Sequence, residues 1–201
     1  MKQPDPMLFD LQNLIVKLTS INRHHYITDK NEHENDIEHS FAVVVLCWYI
    51  YDAVQPPLDL SVILKCALSH DFVEAYAGDV SAFAPTQERV QKVENEKIAL
   101  ERLSDDYSGF KNLVASMQSY ESKSNEESLF VWTVDKMQAL ILGSLDEWRP
   151  YIEDCITFED FSNKYSELLK RSSPYCRELF ESLITYSKST YYEQPGVSPT
   201  L

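Results

Sequence analysis

Four side chains in this sequence have the types and setting to do chemistry together: His39, the adjacent pair His70 and Asp71, and Asp135. Two imidazoles and two carboxylates form a borderline-hard set of nitrogen and oxygen donors. Such a set suits Mn2+, Co2+, Fe2+ or Zn2+ and leaves coordination positions for water or a substrate oxygen. Each residue also has a plainer reading. His39, directly after Glu38 near a helix start, could be a structural histidine satisfied by hydrogen bonds. Asp135 interrupts the apolar stretch FVWTVDKMQAL, where a buried carboxylate is costly unless a cation or a salt bridge meets it.

Glu74 follows His70 by four residues and Asp71 by three, so a continuous helix would put all three on one face. It is a candidate proton donor or base beside the metal, or else a solvated helix end. Asp79, just past Gly78, reads by itself as the cap of a turn.

The elements that would position these groups are helices. Leu8, Leu11, Ile15 and Leu18 recur at three- and four-residue steps as one apolar stripe, with Asp5 and Pro6 as cap and first turn. Residues 22–35 are polar and aperiodic, which predicts a loop. A second helix follows from a cap at Asp36 to about Ala53, ended by Pro56-Pro57 and buried on nearly every side. A third runs from about Asp59 to Tyr76 and breaks at Gly78; its inward side is expected to carry Val62, Ile63, Cys66 and Ala67. Further helices are expected at 87–103, 108–121, 126–147, 157–171 and 174–190. With only four glycines in 201 residues, the pattern predicts an all-α, single-domain bundle of about seven or eight helices. The domain spans 1–190, and the tail 191–201, YYEQPGVSPTL, is expected to be loosely ordered.

Composition narrows the partners. A net charge of −14 repels a polyphosphate backbone and argues against nucleic-acid polymers, while a small phosphorylated substrate stays open if a metal and a few basic groups reverse the field locally. Cys47, Cys66, Cys155 and Cys176 form no C-x-x-C pair and read as reduced thiols of a cytoplasmic protein. The start MKQPDPMLFD lacks the pattern of a signal peptide, and the apolar run from Phe41 to Tyr51 is about half the length of a bilayer span, so no membrane partner is expected.

Taken together, the segments INR (21–23), ENDIEHS (34–40), LSHDFVEAYAGDV (68–80) and VDKMQAL (134–140) resemble the HD-domain metal-dependent phosphohydrolases. More narrowly, they resemble the small HD-type 5'-deoxynucleotidases, in order and in spacing. The resemblance implies an all-α HD bundle with one divalent ion held by His39, His70, Asp71 and Asp135. It also implies a catalytic carboxylate at Glu74 assisted by Asp79, and a phosphate contact from Arg23. The implied substrate is a deoxynucleotide and the implied assembly a homodimer. A triphosphohydrolase acting on deoxynucleoside triphosphates is the runner-up; it would need added positive charge at the mouth, for which Lys65, Arg89, Lys92 and Lys136 are candidates. A third reading is a non-enzymatic metal-binding helical module. No histidine follows His70, which argues against a second, histidine-bound metal. The chain departs from the enzymes it resembles at Glu32 and His33, where those often have arginine, and in the loop VSAFAP after Asp79.

Overall fold

The computed structural model describes residues 3–27, 31–194 and 197. The chain opens with α1 (Pro6–Leu18), capped as the sequence predicts by Asp5, whose side chain accepts from the Met7 amide at 3.0 Å. Its buried stripe is rotated from the expected one: Leu14 and Leu18 face inward with Met7 and Leu11, while Leu8 and Ile15 are exposed.

The expected loop at 22–35 is instead an antiparallel hairpin of β1 (Asn22–Tyr26) and β2 (His33–Asn35). No hydrophobic alternation announces it because ring stacking holds it together. Tyr26 lies on His33 with ring centroids 4.2 Å apart, and the Arg149 guanidinium covers Tyr26 at 3.6 Å.

α2 (Asp36–Val54) starts one residue earlier than a cap at Asp36 would allow. The cap is Asn35, which forms a reciprocal capping box with Glu38 and frees the Asp36 carboxylate for another role. Nor is α2 buried all round. His39, Val43, Cys47 and Ile50 face the core, while Phe41 is 69 % and Tyr49 70 % exposed, beside Val45 and Trp48. By length and composition alone α2 could cross a membrane, although its inner face packs against α3 (Leu60–Ser69) and α7 (Glu126–Leu145).

α3 stops at His70 instead of running to Tyr76. The Ser69 hydroxyl donates to the Lys65 carbonyl at 2.9 Å, and His70 Nδ1 bonds the Ala67 carbonyl at 2.7 Å, so side chains satisfy carbonyls of the last turn. The backbone then makes i to i+3 turns through Asp71 before a short α4 (Glu74–Ala77), which Gly78 terminates at φ 74°. Val62, expected to face inward, is partly exposed, whereas Ile63, Cys66 and Ala67 are buried.

The remaining helices are α5 (Thr86–Asp106), α6 (Lys111–Ser122), α8 (Arg149–Glu153), α9 (Phe158–Lys170) and α10 (Arg177–Tyr192). Among the described residues there are eight helices of ten or more residues and two short ones, α4 and α8, so the all-α expectation holds. The larger core joins α2, α3, α7 and α10 and includes a cluster of rings from Trp148, Tyr151, Phe161, Tyr165 and Tyr191. A smaller one lies under α1, α5 and α6, with Leu14, Leu103 and Met117. The expected loose tail begins with two residues of α10; of these, Tyr191 is fully buried. Its positions 195, 196 and 198–201 lie outside the described residues.

Candidate metal centre

Three helical elements bring His39 (α2), His70 (end of α3) and Asp135 (α7) together, with ligand atoms within 4.8 Å of one another and all three side chains buried. The two imidazole Nε2 atoms face each other at 3.2 Å, and Asp135 Oδ1 is 3.2 Å from His39 Nε2.

The orientation of each ring follows from its other nitrogen. His70 Nδ1 meets the Ala67 carbonyl at 2.7 Å, and a carbonyl can only accept. His39 Nδ1 meets Gln138 Oε1 at 3.0 Å, and Gln138 is set that way round because its amide donates to Glu34 Oε1 at 2.7 Å. Both Nδ1 atoms are therefore donors, and in the neutral rings both Nε2 atoms present lone pairs to the same point. Two lone pairs at 3.2 Å need an electrophile between them, either a proton or a metal ion. The donor set fits a divalent ion. Burial and Arg23 oppose protonation of His39, but hydrogen bonds to Asp135 and Glu34 push its pKa up to about 9, so the site draws positive charge.

Asp71 stands at the edge of this cluster. Its Oδ2 is 3.3 Å from His70 Nε2 and 3.5 Å from His39 Nε2, and it also accepts from Arg23 Nη1 at 2.6 Å. Burial works against its charge, yet His70 and Arg23 hold its carboxyl well below the usual carboxylate range. Asp135 is polarised from behind: Tyr120 and Lys136 each donate to Oδ2 at 2.7 Å, leaving Oδ1 for the cluster.

Arg23, on β1, is committed to protein carboxylates. It reaches Asp36 at 3.4 Å and lies 3.8 Å from Glu34 as well as pairing with Asp71. Both close contacts use Nη1, and Arg23 itself lines the neighbouring cavity. Burial and then Asp71 raise Asp36 to about 7, against the pull of Arg23.

Glu74 does not share a continuous helical face with His70 and Asp71, since α3 breaks between them. It reaches the site through the turn, with its amide bonded to the Asp71 carbonyl at 2.9 Å. Lys92 on α5 bridges Glu74 at 3.0 Å and Asp79 at 3.3 Å, which places Asp79 beside Glu74. Burial pushes the Glu74 carboxyl up to about 9 even though Lys92 opposes the shift, and its Oε2 has no hydrogen-bond partner.

Sequence reasoning missed Gln138, Glu34, Asp36, Tyr120 and the clasp at Lys92. Gln138 lies one helical turn after Asp135, which was a usable signal; Tyr120 carries none that a sequence alone reveals, and Lys92 was expected only as a charge near the mouth. Of the basic residues expected near the mouth, Arg89, Lys92 and Lys136 line a cavity of about 240 Å3 into which Asp135 opens, while Lys65 does not. Tyr151, Phe83 and His25 line the same cavity.

The HD-domain family matches residues 15–177. No curated protein matches the chain. Among solved structures, it is similar to a protein described as a predicted metal-dependent phosphohydrolase from Magnetospirillum magnetotacticum MS-1, at 23 % identity and a TM-score of 0.76 over 95 % of this chain and 100 % of that one. A conserved hypothetical protein from Pyrococcus furiosus is 24 % identical with a TM-score of 0.63, over 87 % of this chain and 98 % of that one. A Pyrococcus horikoshii OT3 protein is 21 % identical with a TM-score of 0.63, over 88 % and 98 %. These likenesses carry the fold, and the family match spans most of the sequence: the chain belongs to the HD-domain family.

Proposed function

We propose that this chain is a metal-dependent phosphohydrolase, acting as a 5'-nucleotidase on deoxyribonucleoside monophosphates. The observation that carries the reading is the pair of Nε2 lone pairs of His39 and His70, aimed at one point beside Asp135 Oδ1 at the wall of an accessible cavity. His39, His70 and Asp135 would hold one divalent ion, with Asp71 as fourth ligand. Such an ion supplies Lewis acidity toward a phosphate oxygen and toward water.

The rest of the chemistry falls to the protein. Burial raises the Glu74 carboxyl above the usual carboxylate range, which favours its protonated form and suits donation to the leaving 5'-oxygen. Lys92 fixes Glu74 against Asp79, so the two acids act as one positioned unit. Arg23 offers Nη2 to a phosphate oxygen while Nη1 anchors it to Asp71 and Asp36. The half-buried Phe83 ring, held edge-on by Tyr151 beneath it, would give a flat base a surface at the cavity wall.

The experiment is phosphate release from the deoxynucleoside monophosphates with added Mn2+ or Co2+. Inorganic phosphate supports the reading, and tripolyphosphate released from deoxynucleoside triphosphates replaces it with the triphosphohydrolase. No release of either kind from any nucleotide sinks both in favour of a binding module.

The same reading takes the protein as a cytoplasmic homodimer. The cysteines are free, and Phe41, Val45, Trp48 and Tyr49 form an exposed apolar face on α2 that a second copy could cover. Light scattering after gel filtration of the native chain and of Trp48→Glu tests it; a native monomer would rule the dimer out.

A further inference from the structure

The cavity beside the metal cluster holds more positive charge than a single phosphate needs. Five basic side chains line it: Arg23, Arg89, Lys92, Lys136 and Lys164. Three of them are already matched. Arg23 meets Asp71 and Asp36, Lys92 meets Glu74, Asp79 and Glu96, and Lys136 meets Asp135.

Arg89 and Lys164 are different. Among the described residues neither has a carboxylate within ion-pair distance. Arg89 donates only to the Thr86 hydroxyl, at 3.3 Å, and Lys164 only to the Ala82 carbonyl, at 3.1 Å. In a chain of net charge −14, two cations that line one cavity, an exposed Arg89 at its rim and a half-buried Lys164, with no carboxylate partner of their own stand out. They come from different helices: Arg89 lies one turn before Lys92 on α5, and Lys164 sits on α9 directly before the buried Tyr165. Lys164 is partly buried, and its pKa is lowered first by burial and then by Arg89, Lys136 and Arg171. Charges that repel one another across a partly desolvated space are stabilised when an anion enters.

We propose that Arg89 and Lys164 form a second anion subsite, so that the preferred ligand carries a further phosphate or carboxylate beyond the phosphate held at the metal cluster. This rests on the phosphohydrolase reading for the placement of the first phosphate, and it moves the preferred substrate from a plain deoxynucleoside monophosphate to a deoxynucleotide that carries a second anionic group. A plain monophosphate leaves the Arg89–Lys164 pair uncompensated. A ligand with a second anionic group, either on the leaving portion or along a phosphate chain, fills both positions.

The test is calorimetric titration of the metal-supplemented protein with 2'-deoxyadenosine 5'-monophosphate, the 3',5'-bisphosphate and the 5'-triphosphate, with release of phosphate and tripolyphosphate followed in parallel. The expected result is that the bisphosphate or the triphosphate, each carrying phosphate beyond the first, binds tenfold or more tighter than the monophosphate. The double variant Arg89→Gln/Lys164→Gln should close that gap to within about twofold, and the gap should shrink as salt rises. A control variant, Lys97→Gln/Lys111→Gln, removes the same charge from exposed positions and should keep the gap. Circular dichroism verifies that each variant is folded. Equal binding of all three probes by the native protein overturns the subsite, and so does a gap that survives in the folded double variant. A gap without release of either phosphate or tripolyphosphate supports the subsite and instead overturns the phosphohydrolase reading.

Discussion

Arg23 Nη1 lies 2.6 Å from Asp71 Oδ2, joining the hairpin to the turn that carries the metal-cluster residues. The same guanidinium reaches Oδ1 of Asp36, whose side chain is completely buried and whose Oδ2 has no hydrogen-bond partner. Removing one member of such a group leaves charge buried without compensation, which costs about 3–5 kcal/mol. Arg23→Gln should therefore lower the melting temperature markedly, besides any effect on phosphate binding. Thermal unfolding followed by circular dichroism measures it; an unchanged melting temperature would show that the carboxylates do not depend on Arg23.

The cluster predicts a division between residues that hold the ion and residues that act beside it. His70→Ala or Asp135→Ala should abolish stoichiometric binding of Mn2+ or Co2+ and with it turnover. Glu74→Gln replaces the carboxyl group with a carboxamide of the same size and leaves the cluster intact, so it should retain the ion and lose on the order of 10²-fold or more in kcat. Metal content after gel filtration, set beside phosphate release, separates the two classes. A His70→Ala chain that remains active without metal would refute the assignment.

His25 makes folding sensitive to acid. Burial first, and then the nearby Arg23, lower its pKa from 6.5 to about 3. The unfolded chain binds this proton below pH 6.5 and the folded chain does not. Its stability contribution is therefore complete above pH 6.5 and is lost as pH falls toward 3, by at most about 1.4 kcal/mol for each pH unit. In His25→Gln, which can keep a hydrogen bond to the Tyr151 hydroxyl, this part of the acid slope should vanish. Urea unfolding of both proteins at pH 7.5, 6 and 5 reads the difference, and parallel slopes would rule it out.

Gly143 gives a third stability test with an unusual sign. Inside a helix, alanine is ordinarily favoured over glycine by roughly 1 kcal/mol. Here a Cβ would sit 3.0 Å from Tyr151 Cε2 and 3.1 Å from two Trp148 ring carbons. Trp148 is fully buried and Tyr151 nearly so, and both are wedged among other rings, so neither can retreat. Gly143→Ala should lower the melting temperature despite its better helix propensity. A rise would mean that the ring cluster yields.

The sequence made the helices legible because their signals are local: a cap at Asp5, a proline pair after Val54 and apolar spacing through α7. It brought His39, His70 and Asp135 to one place for the same reason, since each sits in a segment of distinctive residues. Where the reading failed, the deciding contact was distant. The β hairpin depends on Arg149, more than a hundred residues away, and the end of α3 depends on side chains of Ser69 and His70 competing for carbonyls. The outer face of α2 is as apolar as its inner face, so periodicity could not tell that Phe41 and Tyr49 are exposed. Gln138, which fixes the tautomer of His39, became visible as a partner only once α2 and α7 were side by side.

The three tryptophans sit at three depths: Trp48 is 55 % exposed on the outer face of α2, Trp132 is nearly buried beside the Glu74–Lys92 end of the site, and Trp148 is sealed in the ring cluster. This layering turns the molecule into its own fluorimeter. Iodide should silence the red-shifted emission of Trp48 first and expose a bluer remainder. Within that remainder Trp132 reports on occupancy of the site, while Trp148 stays constant until the chain unfolds.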